Sequence, residues 1–434
     1  MDFDGLLRRI ADRMTGDEDD DETLRLGHEM VRGAEADPDG VESFASRVGL
    51  WAKEHPGPIL NVIRMLNPVL SVKKKNLAIV ASYQGVTGIL NNHRDFAVTY
   101  GEKMKNLTEG ANFFLGEDDD SIPAYDNRAA TVLLFDRKDS VERIPGIVRR
   151  FAKEALADAP EQIDAVRDYL RPVTARFAIE YFGLRTTVPE DLYAITEVLF
   201  EYLFIDLENS PETASRADAA GAKLRALLDR EIAIADRADE DTVISRGQAM
   251  IESGIADLDA VTLRNNLLGL LIGLVPTTPK AAAMGYDYLT VREARADLLY
   301  GAMGEPSRLF AVIREGMRLN PINPMLLRKA NRTVTVPGHS SEEIAAGSTV
   351  FVATAAAMRD PDYVEDPEEI RTDRPDSVYL NYGRGLHACF GRYINDSNVH
   401  IMISEMITAG YRRIPGENLV FEGPFPSHLP VARG

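Results

Sequence analysis

Apolar residues recur at helical spacing through the middle of the chain, from about Val141 to Leu327. Positions three and four residues apart lie on one face of an α-helix, so this spacing is typical of amphipathic helices. Clear instances are the sets Ile163, Val166, Tyr169 and Leu170, and Leu192, Ile195, Leu199 and Leu203. Segments with strand character are few and short. The sequence therefore predicts a mainly α protein with a small β region.

Three segments have strand character. Asn76–Tyr83, NLAIVASY, is apolar enough to form a strand, and it leads into a helical pattern that ends near Asn92. Thr333–Val336 and Ser348–Val352 are two further short segments, separated by turn-forming residues. Two such segments predict a hairpin or a pair of neighbouring strands.

Charge limits the class of protein. The formal net charge is −19, and the first residues are especially acidic, with the run Asp17–Glu22. A protein that binds nucleic acid by neutralising phosphates needs excess positive charge, so this balance argues against nucleic-acid binding. A block of like charges is typical of a solvated arm. We predict an acidic N-terminal arm at residues 1–54 and one catalytic domain at residues 55–434.

The sequence predicts a cytoplasmic protein without a membrane anchor. The chain does not open with basic residues followed by an apolar core, and no run of about eighteen apolar residues is free of charge. Its single cysteine, Cys389, excludes an internal disulfide and any metal site that needs several cysteines. The role of one thiol becomes the central question.

Cys389 ends a long irregular stretch, and the residues after it predict a helix. Unpaired N–H groups and the positive end of the helix dipole lower the pKa of a thiol placed there. Two chemistries use such a sulfur: a nucleophile with His387 as its base, or axial ligation of haem iron. Gly383, Gly385 and Gly391 favour the second, because side chains there would hold a flat macrocycle away from the backbone.

The segment Tyr382–Gly391, YGRGLHACFG, resembles the haem-binding loop of the cytochrome P450 superfamily, F-G-x-G-x-H-x-C-x-G. Tyr382 stands in the place of the first aromatic residue, and every other fixed position is present. The resemblance covers roughly residues 55–434. It implies the cytochrome P450 fold and a haem b (iron protoporphyrin IX) with Cys389 as its axial ligand.

Charged residues outside the loop fit the same resemblance. Glu315 and Arg318 match the family's E-x-x-R and share a helix face, although alone they could be an exposed pair. Arg374 stands where a third charge would complete a buried network that fixes the thiolate loop. Arg328 resembles the arginine that binds a haem propionate, and His387 often does the same in family members.

A dinucleotide-binding pattern, G-x-G-x-x-[GA], competes for the same loop through Gly383, Gly385 and Ala388. Ser377–Tyr382 would be its preceding strand and Glu405 its acidic residue. The context opposes this interpretation, because the supposed strand is polar and no alternating strand–helix pattern surrounds it.

Leu258–Leu289 resembles the distal helix of the family. Members that activate dioxygen usually carry [AG]-G-x-[DE]-T there, and the acid and the threonine relay protons. Here Thr277 is present, but Pro276 replaces the acid. Pro276 and Pro279 lack N–H groups, so we expect a kink that leaves nearby carbonyls able to bind water. A purely structural kink is the alternative.

A second departure from the family lies at Pro123–Arg128, which resembles a segment whose histidine and arginine contact a propionate. Tyr125 replaces the histidine and can still donate one hydrogen bond to a carboxylate. Arg128 is one residue out of register.

The resemblance implies a haem-thiolate monooxygenase that inserts one oxygen atom of O2 into a small organic substrate. Electrons would come from a separate ferredoxin or flavodoxin, which Arg384 and Arg392 beside the loop could dock. Two alternatives stay open because Pro276 replaces the acid. One is a haem-thiolate enzyme that uses peroxide, or isomerises or dehydrates its substrate. The other is a catalytically idle haem-binding protein.

Overall fold

The structure is a computed structural model, and it describes most of the chain after residue 59. The described residues are 60–434 apart from 62–63, 66–67, 73–75, 111–112, 117–121, 136–137, 208, 236–240, 256–257 and 338–341. The acidic arm predicted at residues 1–54 lies outside the described residues. The boundary at residue 54 therefore stays a prediction.

Helices dominate the described residues, and the strands are short. In chain order the helices are α1 (Tyr83–Leu90), α2 (Gly101–Leu107), α3 (Ile122–Leu133), α4 (Ile144–Ala157), α5 (Arg171–Phe182), α6 (Pro189–Phe200), α7 (Pro211–Ile234), α8 (Val243–Glu252), α9 (Ala260–Leu274), α10 (Thr277–Thr290), α11 (Glu293–Gly301), α12 (Pro306–Leu319), α13 (Thr354–Ala357) and α14 (Arg392–Thr408). The strands are β1 (Val69–Val72), β2 (Leu77–Val80), β3 (Phe96–Val98), β4 (Gln162–Asp164), β5 (Leu326–Ala330), β6 (Val334–Val336), β7 (Glu342–Ile344), β8 (Thr349–Val352), β9 (Tyr411–Arg413), β10 (Val420–Glu422), β11 (Phe425–His428) and β12 (Pro430–Arg433). This composition confirms the mainly α prediction.

The chain divides into two compact units. The β unit holds the described residues up to Ala97 together with Arg318–Glu369 and Pro375–Gly385. The helical unit holds Val98–Met317, Ile370–Arg374 and Leu386–Gly434. Each unit has its own elements and its own packing.

A five-stranded sheet forms the centre of the β unit, in the order β1-β2-β8-β5-β3. β2 runs parallel to β8, with Leu77 opposite Thr349, and β5 runs antiparallel to β8, with Leu327 opposite Phe351. The strand predicted within Asn76–Tyr83 is confirmed as β2, and the helix after it is α1. Val80 is fully buried in the apolar core that packs on this sheet.

The predicted pairing of Thr333–Val336 with Ser348–Val352 is wrong. β6 pairs instead with β7, a strand within the turn-rich segment, and Val334 lies opposite Ile344. β8 lies inside the larger sheet, between β2 and β5. The physical reason is burial: Val350 and Val352 are fully buried, so β8 needs a strand on each side.

Helices α2–α11, α12 as far as Met317, and α14, with two small sheets, form the helical unit. Its three-stranded sheet has the order β4-β12-β9, and β10 pairs with β11. The helix predicted from Ile163 begins later than expected, because Ile163 lies in β4 and pairs with Val431. Asp164 caps the helical turn that follows, since its carboxylate accepts the N–H groups of Val166 and Arg167.

The predicted distal helix is present as two segments, α9 and α10, which meet at Val275 and Pro276. The two segments together span Ala260–Thr290, which by length and composition alone could cross a membrane. However, 83% of its most apolar window is buried inside the protein. A helix buried to that extent is a core helix of the helical unit.

Irregular chain after Met358 is held by two charged residues of α12. In the helical unit, Glu315 is fully buried, and one carboxylate oxygen accepts Arg374 Nε at 2.9 Å and the Arg371 N–H at 3.0 Å. In the β unit, the Arg318 guanidinium donates to the carbonyls of Met358 at 3.0 Å, Pro367 at 2.7 Å and Glu369 at 3.1 Å. These bonds supply partners that a segment without regular structure cannot supply for itself.

Replacing Glu315 with glutamine should destabilise the protein strongly. The Glu315 and Arg374 side chains are 0% and 4% exposed, so Glu315→Gln leaves a buried guanidinium without its counter-charge. Breaking a buried pair in this way costs roughly 3–5 kcal/mol of unfolding free energy. The measurement is urea or thermal unfolding followed by circular dichroism.

Glu154→Gln is the matched control, since Glu154 pairs with Arg176 at 44% and 37% side-chain exposure. An exposed pair contributes less than about 1 kcal/mol. Equal unfolding midpoints for the two variants would show that the Glu315 pair does not stabilise the fold.

Candidate functional site

Cys389 lies three residues before α14, at the end of the predicted loop. Its sulfur accepts the backbone N–H groups of Gly391 and Arg392, and its side chain has solvent-accessible surface. The pKa of the thiol is nevertheless raised, because the protein atoms around the sulfur desolvate the thiolate and outweigh the two N–H donors. The expectation of a lowered pKa is therefore wrong for the protein alone, although the two donors that favour a thiolate are present.

The three loop glycines are needed for different reasons. Gly385 has φ +74°, and a Cβ there would lie 2.3 Å from the carbonyl oxygen of Leu90. Gly383 also has a left-handed backbone, with φ +65°. Gly391 has an ordinary φ of −62°, but a Cβ there would lie 3.4 Å from the Cys389 sulfur. A Cβ at residue 391 would thus only contact the sulfur, whereas the other two glycines are required by the path of the chain.

Arg128 and His387 contact adjacent carbonyls of one segment. Arg128 Nη2 donates to the Phe114 oxygen at 3.0 Å, and His387 Nδ1 lies 2.9 Å from the Leu115 oxygen. Asn266 of α9 accepts the Phe114 N–H at 3.2 Å and so fixes the same segment. The helical unit therefore brings together two basic side chains that sequence reasoning linked to a propionate. This contact occupies Nδ1 of His387, one of the two ring nitrogens that could act as the base if Cys389 were a nucleophile.

The other residues linked to a propionate lie apart in the chain. Arg328 is 5% exposed on β5 in the β unit and donates to the Leu327 carbonyl at 2.8 Å. Tyr382 is half-buried in the same unit. Tyr125 belongs to α3 in the helical unit, and its side chain lies outside the described residues.

Thr277 and Pro276 lie at the break in the distal helix. The Thr277 hydroxyl donates to the carbonyl of Gly273, and the threonine is 7% exposed. Pro276 has no N–H for the carbonyl of Ile272, four residues earlier. A Cβ on Gly273 would meet no atom within 4 Å, so there is open space beside the helix one turn before Thr277.

Sequence reasoning missed several buried polar residues near this break. The Thr278 hydroxyl donates to Asn395 Oδ1 at 2.6 Å, which links α10 to α14. Lys280 is 7% exposed, although its helix is otherwise mostly apolar or small. The available signal was polarity within an apolar helical pattern. It could have identified these positions as unusual but not their partners.

Comparison with known proteins adds a family match and a set of distant relatives. The family model "Cytochrome P450" matches residues 306–409. A bifunctional dioxygenase–epoxy alcohol synthase of Pyricularia oryzae is 24% identical over 77% of this chain and 32% of its own length. Biflaviolin synthase of Streptomyces coelicolor is 27% identical over 61% of this chain and 60% of its own length. The chain thus spans about a third of the first relative and three fifths of the second.

Solved structures with the same fold are also known. The ligand-free cytochrome P450 TbtJ1 superposes with a TM-score of 0.73 at 20% identity, covering 87% of this chain and 97% of that one. A versatile cytochrome P450 of Bacillus subtilis gives a TM-score of 0.70 at 17% identity, covering 87% and 99%. The matched family segment runs from the Glu315 helix through the cysteine loop. In this segment the chain is similar to the cytochrome P450 family, and its fold is the one seen in the solved cytochrome P450 structures.

Proposed function

We propose that this protein is a haem-thiolate monooxygenase that inserts one oxygen atom of O2 into a small organic substrate. The observation that carries the proposal is the environment of Cys389, the only cysteine of the chain, whose sulfur accepts two backbone N–H groups beside a glycine. Hydrogen bonds of this kind stabilise a thiolate. Haem b, with Cys389 as its axial ligand, is the cofactor that we infer.

The residues present fit a haem. The Cys389 side chain is solvent-accessible, and the absence of a Cβ at Gly391 leaves space beside the sulfur. Within the described ranges, no three His, Cys, Asp or Glu side chains form a group that could hold a metal ion. A single sulfur therefore suits an iron that brings its remaining ligands with it, as a porphyrin does.

Basic residues for two propionates are also available. Arg128 and His387 lie at adjacent carbonyls in the helical unit, and Arg328 is a buried guanidinium in the β unit. Guanidinium groups pair with carboxylates through two parallel N–H bonds. We assign the holding of the propionates to these three residues, with Tyr125 as a further hydroxyl donor.

When bound, a thiolate-ligated haem supplies the chemistry of dioxygen activation, including O–O bond cleavage. The chain must then deliver protons, and Thr277 Oγ1 is the hydroxyl placed at the helix break to hold one. The hydroxyl donates to the Gly273 carbonyl, and we propose that water reaches it through the open space beside Gly273. Pro276 supplies no acid, so we propose that water bound at carbonyls beside the break takes that role.

We propose that electrons come from a ferredoxin- or flavodoxin-type protein and that the enzyme works in the cytoplasm. Arg392 lies at the start of α14, three residues after Cys389, and forms an exposed pair with Asp396 at 3.3 Å. Arg384 in the β unit donates to the Tyr83 hydroxyl at 3.3 Å. Partly exposed cations beside the thiolate loop suit an acidic electron carrier.

A second candidate is a haem-thiolate enzyme that uses peroxide or rearranges its substrate. It is favoured by Pro276 in the place of the acid. It is also favoured by two fungal relatives named dioxygenase–epoxy alcohol synthases, each 24% identical to this chain. An idle haem-binding protein is the third candidate. Product formation with dioxygen and reductant separates the monooxygenase from both.

Replacing Cys389 with serine should abolish the spectrum of thiolate ligation and all oxygenase turnover. The chain contains no other cysteine, so no second thiol can take over. The measurement is the ferrous carbonyl spectrum, in which thiolate ligation gives a strongly red-shifted Soret band. The control is Ser397→Ala, on the helix α14 that follows Cys389. It removes a hydroxyl that donates to the Ser140 carbonyl, and it should keep the band. A red-shifted band in Cys389→Ser would overturn the proposed ligand.

Replacing Thr277 with alanine should uncouple electron consumption from product formation and release peroxide. General acid catalysis contributes typically about 10²–10⁴-fold, so loss of the hydroxyl should be plain in a coupling assay. Thr277→Ser keeps the hydroxyl and should stay coupled, and Pro276→Asp should leave coupling unchanged or improve it. NADPH consumption, peroxide and product are measured with added redox partners.

The same assay tests the peroxide-driven candidate. In that case the wild-type protein would form little product with dioxygen and reductant, and Thr277→Ala would keep peroxide-supported turnover. Full coupling of Thr277→Ala with dioxygen would show that the proton-relay assignment is wrong.

A further inference from the structure

A chain of hydrogen bonds links the sulfur of Cys389 to the break in the distal helix, and all of its members lie in the helical unit. The Arg392 N–H donates to the sulfur, and its nitrogen also lies 3.4 Å from the Cys389 carbonyl oxygen. The carbonyl of the same peptide unit, that of Gly391, accepts the Asn395 N–H at 2.9 Å. The Asn395 side chain in turn accepts the Thr278 hydroxyl through Oδ1 at 2.6 Å. Three hydrogen bonds thus connect the sulfur to the distal helix.

The peptide unit between Gly391 and Arg392 is polarised from both ends. A peptide whose carbonyl accepts hydrogen bonds donates more strongly through its N–H, because the two groups belong to one conjugated amide. The Gly391 carbonyl accepts two N–H groups, from Ile394 at 3.1 Å and from Asn395 at 2.9 Å. The position of Asn395 therefore affects how strongly the Arg392 N–H donates to the sulfur.

The distal helix needs an anchor at its break, because two backbone N–H groups are missing there. Pro276 and Pro279 have no N–H for the carbonyls four residues earlier. Thr278 lies between the two prolines, in the first turn of α10 and directly after Thr277. Its bond to Asn395 supplies a hydrogen bond from α14 where the distal helix lacks two of its own. The place of the Thr277 hydroxyl therefore depends on α14.

Both side chains of this pair are buried, with Thr278 at 0% and Asn395 at 8% exposure. Apolar side chains of similar size would pack at these positions without needing a partner. A hydrogen bond differs from apolar contact because it has a direction and a narrow range of distance. A buried polar pair of this kind therefore fixes the relative position of the two helices that carry it.

We propose that Thr278 and Asn395 are positioning residues, which set the strength of hydrogen bonding to the Cys389 sulfur and the place of the Thr277 hydroxyl. The proposal rests on the proposed function, because it concerns the inferred haem ligand and the inferred proton donor. Hydrogen bonding around the axial ligand is one of the means by which a protein sets the reduction potential of a haem. The pair should therefore affect a quantity that a purely structural contact leaves unchanged.

Three variants of the haem-loaded full chain test the proposal. Thr278→Val takes the donor away from a buried amide oxygen, so it should raise the unfolding equilibrium constant about 5- to 150-fold. Combining Thr278→Val with Asn395→Leu removes both polar groups, which can be nearly neutral for stability. Thr278→Ser keeps the hydroxyl. The measurements are urea unfolding, the haem reduction potential and the peroxide released per NADPH consumed with added redox partners.

The double variant separates positioning from a structural role. We expect it to regain the stability of the wild type and still to have a lowered reduction potential, since weaker donation to the sulfur favours the ferric state. The ferrous-to-ferric ratio at a fixed potential should fall about two- to fivefold, which corresponds to about 20 to 40 mV. Peroxide release should rise about 2- to 30-fold, as expected for residues that act through another group. Thr278→Ser should keep the wild-type value of each quantity.

Thr290→Val is the matched control, since it removes a buried hydroxyl at the other end of α10 that donates to the Tyr286 carbonyl at 2.7 Å. It should change neither the potential nor peroxide release. A wild-type potential in the double variant would overturn the assignment at the sulfur, and wild-type peroxide release would overturn the assignment at Thr277. Thr278→Val alone should show the same two shifts, so the test does not depend on the folding of the double variant.

Failure of this proposal is distinguishable from failure of the proposed function. The ferrous carbonyl spectrum of the wild-type protein reports the thiolate ligand without any variant. A thiolate band in the wild type, with unchanged potential and peroxide release in the variants, would keep the haem assignment and reject the pair. Absence of the band from the wild type would overturn both, because the pair would then have no iron ligand to act on.

Discussion

The irregular chain after Met358 depends on two buried charged side chains of α12. A segment without helix or sheet has carbonyl and N–H groups that its own backbone cannot pair, and burying them unpaired is costly. Arg318 supplies donors to three carbonyls, and the fully buried Glu315 accepts from Arg374 and from a backbone N–H. These long side chains pair the backbone groups that a helix or a sheet would otherwise pair through its own hydrogen bonds.

Three residues of the distal helix lack a group that other residues would supply: Pro276 has no N–H, and Gly269 and Gly273 have no side chain. Pro276 therefore provides neither a backbone donor nor an acidic side chain. The two glycines leave the face that bears Thr277 without side chains at positions 269 and 273. The consequences differ: Gly269 admits the Phe113 ring, whereas Gly273 borders open space. This helix is 83% buried over its most apolar window. Larger side chains on this face would therefore fill the space beside it. The open space beside the distal helix thus lies where Gly273 has no side chain.

Much of the fold could be predicted from local patterns, and the failures share one cause. The helical class, the strand at Leu77–Val80 and the helix after Cys389 follow from spacing within a few residues. The neighbours of β8, and the pairing of Ile163 with Val431, depend on chain hundreds of residues away. Periodicity reports which face is apolar and not which element covers it.

The same limit applies to the site. The loop motif predicts Cys389 as the haem ligand because the residue types and their order are local. The raised pKa of its thiol could not be predicted, since it arises from atoms that tertiary packing brings around the sulfur. Lys280 and Asn395 were missed for a related reason. A polar residue in an apolar pattern is as often a surface residue as a buried one until its neighbours are known.

The hydrogen bond between Thr278 and Asn395 joins α10 to α14. Thr278 follows Thr277 directly and Asn395 lies six residues after Cys389, the two residues to which we assign proton delivery and haem ligation. Both partners are buried, so neither touches solvent or a docking protein. A substitution at residue 395 would therefore change how α10 and α14 are joined, and with it the spacing between the two residues in our proposal. Such a change would leave every surface charge as it was, and a search for function confined to exposed residues would miss it.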